Sequence, residues 1–346
     1  MRFLVFFIIL LYSNFGFGQQ KQYKIICTGF YNLENLFDTI DDPHTNDADF
    51  LPGGANHYTA QVYFDKLSKL SHVISEIAMD KSKDGLALVG VAEVENRQVL
   101  EDLVKQDKIS NRNYKIIHFD SPDERGIDVG LLYNPNYFKP KKSEALYVDI
   151  RNDDDTPRYT RDVLYVNGLL DGELVHLFVN HWPSRRGGEE ASAPSRAKAA
   201  SVCRNRIDSI QLIDPQARII LMGDFNDDPI SPSIANVLGA KNDITAIENK
   251  SLYNPWNDLY KMGIGTLAYN DAWNLFDMII FSEPYLNRDS GKYYFSGNYI
   301  YKEKYMIQSS GRFKGYPKRT YDFSRYAGGY SDHFPTYIVW LKEIKD

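Results

Sequence analysis

Arg218 to Pro229 reads RIILMGDFNDDP, and no other stretch restricts the fold as much. Ile219 to Met222 are apolar without alternation, the pattern of a strand buried on both faces, which requires layers packed above and below its sheet. At Gly223 the backbone can turn sharply, so Asp224 and Asn226, at i and i+2, project from the strand's end towards the same space. A carboxylate beside a neutral amide suits a phosphate ester. The carboxylate can orient or deprotonate a water, and the amide can hold a non-bridging oxygen without adding negative charge. Gly, Asp, Asn and Pro also build ordinary solvated turns, so the motif takes its weight from other polar sites placed where strands end.

Such sites recur along the chain. Tyr23 to Tyr31 is a β-rich apolar run that ends at Asn32, and Leu86 to Val91 is a second, followed by Glu93 and Glu95. A carboxylate at a strand's C-terminal end can hold a hard cation; for Glu95 the better reading is an acid favoured by the following helix dipole. Strands are expected at Tyr114–Phe119, Ile127–Tyr133, Val163–Leu170, Glu173–Asn180 and Pro335–Leu341. Helices are expected at Val62–Met79, around Val99–Lys105 and at Ala191–Ile213. Asp171-Gly172 marks a hairpin turn whose returning strand delivers His181 within VNHWPSRRGG, where a histidine can donate a proton or bind phosphate. Asp128 and Asp277 lie in apolar settings, and a lone buried carboxylate needs a partner to hold, such as a histidine or an arginine. SDHFP places Asp332 and His333 just ahead of the last strand. Between Tyr285 and Tyr330, aromatic residues alternate with Arg312, Lys314, Lys318, Arg319 and Arg325, a mixture suited to unstacked bases and phosphates, to sugars or to a membrane surface, and equally to a long wet loop region.

The first residues, MRFLVFFIILLYSNFGFGQQ, have the layout of a secretory leader, so residues 1–18 are expected to be removed and 19–346 to form one domain, secreted or periplasmic, with no stable membrane insertion after cleavage. Cys27 and Cys203 are the two cysteines, and two buried free thiols are at least as reasonable as one bridge. The net charge of −6 argues against a protein that passively coats nucleic acid, though not against an enzyme with a local basic track. So few thiols and no HExxH pair argue against a zinc hydrolase.

Asn32 after a first strand, Glu93 in AEVEN, His181 in NHWPS, Asp224 and Asn226 in GDFND, Asp277 in FDMII, and Asp332-His333 in SDHFP together resemble the endonuclease/exonuclease/phosphatase superfamily, over about Tyr23 to Leu341. The boxes FYNLENLFD, RGIDVGLLY and VNHWPSRRGG are most similar to DNase-I-like secreted bacterial nucleases. The resemblance implies an α/β fold, a four-layer sandwich of two mixed sheets packed face to face with helices outside. It implies Glu93 as main metal ligand with Asn32 and Asp332 nearby, His333 as general base or phosphate contact oriented by Asp277, and Asp224 orienting or activating water. It further implies Asn226 on a phosphoryl oxygen and His181 as acid or phosphate ligand. Mg²⁺ is the expected cofactor, with Mn²⁺ as substitute and Ca²⁺ as a supporting ion. The expected reaction is metal-dependent hydrolysis of DNA, with RNA as a further substrate, by a monomer; Arg185, Arg186, Arg312 and Lys314 are the expected substrate contacts. GDFNDD differs from the GDLNYR-like box of phosphoinositide phosphatases. Sphingomyelinases share the SDH and GD-N boxes, so a phospholipid phosphodiesterase is the alternative enzyme, and an inactive binding protein the alternative of another class.

Overall fold

The computed structural model describes residues 21–344 apart from residue 153; the expected leader lies outside them. A six-stranded sheet runs in the order Tyr294–Ile300, Thr336–Ile344, Gln22–Leu36, Leu86–Val94, Asp128–Tyr133, Lys115–His118. A seven-stranded sheet runs Ala240–Lys241, Leu252–Tyr253, Asp277–Ser282, Ile219–Asp224, Glu173–His181, Val163–Leu170, Phe138–Leu146. Both are mixed. Gln22–Leu36 is parallel to Leu86–Val94 in the first, and Glu173–His181 is parallel to Ile219–Asp224 in the second, each pair flanked by antiparallel neighbours.

The period of two along each strand sorts side chains between layers. Ile26, Phe30, Leu88 and Ala92 join Ile220, Met222 and Ile279 in the core that includes the space between the sheets. Cys27, Tyr31, Val89 and Val91 turn the other way, against Leu67, Leu70, Val73 and Ile74 of helix Ala60–Glu76 and Leu100 and Leu103 of helix Arg97–Val104. Helix Glu189–Ile213 covers the second sheet with Ala199, Ala200, Cys203 and Ile207. Helix, sheet, sheet, helix is the four-layer sandwich expected. The sheets meet closely at Gly90, where a Cβ would lie 2.6 Å from the Met222 sulfur. Thr59 and Asn96 start the first two helices by accepting the backbone N–H of Val62 and Val99.

The hairpin turn has left-handed Asp171 and Gly172, φ 44° and 85°, as a type I′ turn requires. Both cysteines are buried and free. Two edge strands do not announce themselves in sequence. Phe138–Leu146, FKPKKSEAL, is too charged, and its Pro140 is tolerated because it sits at a register shift on an edge. Tyr294–Ile300 lies inside the aromatic, basic region and accounts for part of its tyrosine content structurally. Among the described residues no helix is long and apolar enough to cross a membrane.

Candidate active site

Strand register alone assembles half of the site. Asp224 pairs with Asp277 on one neighbouring strand and with His181 on the other, so three polar side chains stand in one row. They share the parity of Met222 and therefore face the opposing sheet. That sheet brings Asn32 and Glu93 from its own parallel pair and His333 from the turn before its Thr336–Ile344 strand. Asn32 and the two histidines converge on one atom. Asp224 Oδ2 accepts Asn32 Nδ2 at 3.0 Å and lies 3.8 Å from His181 Nε2 and 3.9 Å from His333 Nε2. Its partner Oδ1 accepts the Asn226 N–H at 2.9 Å, which fixes the carboxylate plane.

Glu93 reaches this point through an irregularity. Simple alternation after Ala92 would send it to the helix side, but the register shifts between Ala92 and Val94 and Glu93 takes φ 59°, a bulge that turns its side chain towards Asn32. Asn32 Nδ2 donates to Glu93 Oε1 at 3.2 Å, and Asn35 N donates to Oε2 at 2.9 Å. Both donors are neutral. A carboxylate whose side chain is only 15% exposed, with neutral N–H partners, is a place where a hard cation fits, and Asp224 supplies a second oxygen beside it. Asn32 stands between these two carboxylates. The Glu34 N–H at 2.9 Å holds its Oδ1, so its amide nitrogen, not its oxygen, is turned between the two carboxylates. Oxygen and nitrogen of Asp224, Asp277 and His333 also lie within 4.8 Å of one another. Within that trio His333 Nδ1 and Asp277 Oδ2 make a 2.7 Å hydrogen bond, while His333 Nε2 stands 3.9 Å from Asp224 Oδ2.

The two histidines are held in opposite charge states. Burial disfavours a charged His333, but Asp277 and Asp224, with the Asp277 hydrogen bond, outweigh it and hold the imidazole well above its ordinary range. Burial, then the Arg161 and Arg125 charges, push His181 well below that range. His181 presents its Nε2 to Glu93 and Asp224, each 3.8 Å away. Burial pushes Asp224 up to about 7; the His333 charge pulls against this, and Asp277 and Glu93 add to it.

The other expected residues divide. Asn226 sits at the site with φ 50°, one amide hydrogen committed to Trp182 O at 2.9 Å. Asp332 lies beside His333, yet its Oδ2 pairs with Arg319 at 2.9 Å, while Oδ1 is 3.9 Å from His333 Nε2. Arg185 is not a free substrate arm: it bonds Asn226 O, Glu189, Asp227 and Asp228 and so braces the Asp224 loop. Arg186, Arg312 and Lys314 are exposed. Asp128 orients a histidine, as its setting suggested, but that residue is His118, with Nε2 at 3.0 Å.

Sequence reasoning missed a set of charges at the rim. Buried Glu34 accepts Arg319 Nε at 3.3 Å and Thr320 N at 2.6 Å, and fully buried Lys66 bonds the Thr320 hydroxyl. Lys66 was findable. It stands three residues after Tyr63 and four before Leu70, on the helix's apolar face, where a lysine needs a partner. Buried Arg161, which bonds the carbonyls of His181 and Trp182 and pairs with Asp123, has no comparable signal.

A search of curated proteins gave no match. Among solved structures, an endonuclease/exonuclease/phosphatase family protein from Bacteroides thetaiotaomicron superposes with a TM-score of 0.56 at 14% identity, covering 94% of this chain and 100% of that one. D. rerio TDP2 complexed with a single-strand DNA product gives 0.54 at 16%, covering 91% and 98%. A Bacteroides thetaiotaomicron mannosyl-6-phosphatase gives 0.54 at 14%, covering 92% and 100%. These likenesses concern the fold, and the sequence itself matches the family model over residues 27–342, so the chain belongs to the Endonuclease/Exonuclease/phosphatase family.

Proposed function

We propose that this protein is a secreted or periplasmic, Mg²⁺-dependent phosphodiesterase that acts as a monomer and hydrolyses nucleic acid, DNA before RNA. The family's members are phosphoric ester hydrolases that use divalent metals. The observation that carries the reading is the convergence of the Asn32 amide and two histidines on Asp224 Oδ2, with Glu93 beside them, 3.8 Å from His181 Nε2. In-line attack on a phosphate needs a positioned water, neutralised phosphate oxygens and a fixed geometry. Asp224, oriented by Asn226 and Asn32, takes a proton from the attacking water as the ester P–O bond in line with it breaks, and the departing oxygen takes a proton from bulk water. His333, kept charged by Asp277, donates to a non-bridging oxygen, and neutral His181 and the remaining amide hydrogen of Asn226 donate beside it. A divalent cation held at Glu93 would supply further neutralisation of phosphate charge, with Mg²⁺ the first choice, Mn²⁺ the substitute and Ca²⁺ a supporting ion. DNA is favoured by the cations of the aromatic loop, and the solved TDP2 structure shows this fold with a single-strand DNA product.

The test is incubation of protein from Gln19 onward with supercoiled plasmid and Mg²⁺, beside EDTA and Asp224→Ala controls. Sphingomyelin liposomes and mannose 6-phosphate are assayed in parallel. Metal-dependent nicking lost in the variant is the expected result. Turnover of lipid or sugar phosphate without nicking, with Mn²⁺ and Ca²⁺ also tried, would replace the nuclease reading.

A further inference from the structure

The segment entering the site before SDHF is clamped on both sides of one residue. Lys318 N donates to Met306 O and Lys318 O accepts from Tyr330 N, both at 2.7 Å. Thr320 N donates to Glu34 Oε2 at 2.6 Å, and Thr320 O accepts from Ala327 N at 2.9 Å. From the core side, the buried Lys66 ammonium donates to the Thr320 hydroxyl at 2.5 Å. Gly329 closes over the same backbone. A Cβ there would lie 2.0 Å from Lys318 O and 2.1 Å from Arg319 O. Five hydrogen bonds on two residues are more than a loop needs to stay folded, and they fix the residue between them.

That residue is Arg319. Its Nε donates to Glu34 Oε1 at 3.3 Å and its Nη2 to Asp332 Oδ2 at 2.9 Å. Its side chain stays 50% exposed, and Nη1 has no hydrogen-bond partner among the described residues. The guanidinium is thus aimed from two sides, one residue from His333 through Asp332, with one edge unused. Arg185 and Arg161 have no such edge: Arg185 is committed to the Asp224 loop, and Arg161 is buried against two carbonyls and Asp123. Five carboxylates, Glu34, Glu93, Asp224, Asp277 and Asp332, gather at or beside the site. An anionic substrate therefore needs a fixed cation there, and a planar guanidinium matches phosphate oxygens better than a point charge does.

We propose that Arg319 binds the substrate phosphate, gripping a non-bridging oxygen with its free Nη1 edge while Glu34 and Asp332 hold its plane. This rests on the phosphoesterase reading and assigns that site a preorganised anion contact. Arg319→Gln and Arg319→Lys test it in the full mature chain, through kcat and KM on a phosphodiester, competitive inhibition by inorganic phosphate, and direct calorimetric binding of inorganic phosphate. Arg319→Gln is expected to raise KM and the phosphate inhibition constant together by roughly ten- to a hundredfold, with kcat changing much less. Arg319→Lys should recover only part of this, because it keeps charge and loses the fork. Unchanged KM and phosphate affinity, with a lowered Tm or a lowered kcat, would make Arg319 a brace and overturn the inference. If the wild type hydrolyses no phosphate ester, the proposed activity falls, and calorimetry on wild type against Arg319→Gln still decides whether this residue binds phosphate.

Discussion

The two central parallel strand pairs end differently. In the seven-stranded sheet the ladder stays regular to its last rung, and Asp224 faces His181 and Asp277 in unbroken register. In the six-stranded sheet it breaks between Asn32 and Leu36 and again between Ala92 and Val94, leaving Glu34, Asn35 and Glu93 in the left-handed region. Such backbone costs about 1–3 kcal/mol per residue and persists only where neighbours fix it. Here Glu93 is fixed by two N–H donors and Glu34 by Thr320 and Arg319. The proposed roles fit the difference. Proton movement needs distances held to a few tenths of an ångström, which a ladder provides. A carboxylate meant for a cation must leave the ladder's alternation to point along the sheet edge.

If the regular half moves the proton and the irregular half holds the metal, substitutions should separate the two. The largest loss belongs to Asp224→Asn, with activity reduced by roughly two to three orders of magnitude. The protein should stay folded, since an amide of the same shape avoids burying a carboxylate, and added Mg²⁺ or Mn²⁺ should still raise its Tm, by less than in the wild type, because Glu93 remains while the second oxygen loses its charge. Glu93→Gln comes next, with activity down about a hundredfold and, unlike Asp224→Asn, a Tm that no longer responds to metal or to EDTA. A full metal shift in Glu93→Gln would break the division. Asp277→Asn is smaller, roughly ten- to a hundredfold, and has a sign. Asp277 raises the His333 proton affinity, so the wild-type imidazolium persists to high pH, and activity is lost as pH rises through that raised value. Without Asp277 this alkaline limb should move to lower pH, and a limb that stays in place would exclude a charged His333 from the rate.

The comparison also explains what could be read in the sequence. Asp224, His181 and Asp277 were legible because each follows or opens an apolar run, and regular strands convert that position into a row. Glu93 was legible as a residue but not as a direction, since nothing in VAEVEN marks the bulge that aims it. Arg185 and Arg319 are alike in sequence, each a basic residue in a polar loop, and tertiary partners decide that one braces the Asp224 loop and the other keeps an open edge. The charged edge strand at 138–146 hides its pattern because edges are protected by charge and proline.

The smallest expected effect lies furthest from the ladder. Arg312 and Lys314 are exposed, and the loop that carries them is tied down nearby: Tyr316 bonds the backbone and carboxylate of Asp271 at 2.7 Å, and Trp273 stacks on Phe334 beside His333. Such cations can follow a phosphate backbone but have no fixed geometry, so they should act through counterion release. Each phosphate contact contributes about 0.9 to the slope of log affinity against log salt. Arg312→Gln with Lys314→Gln should therefore flatten the slope for DNA by roughly one to two and weaken binding severalfold at low salt. kcat on a small phosphodiester should not change. Arg319→Gln, by contrast, should weaken inorganic phosphate itself, because its contact is held by Glu34 and Asp332. A slope that survives the double substitution would remove this loop from the nucleic-acid surface and leave substrate capture to the residues fixed at the two sheet ends.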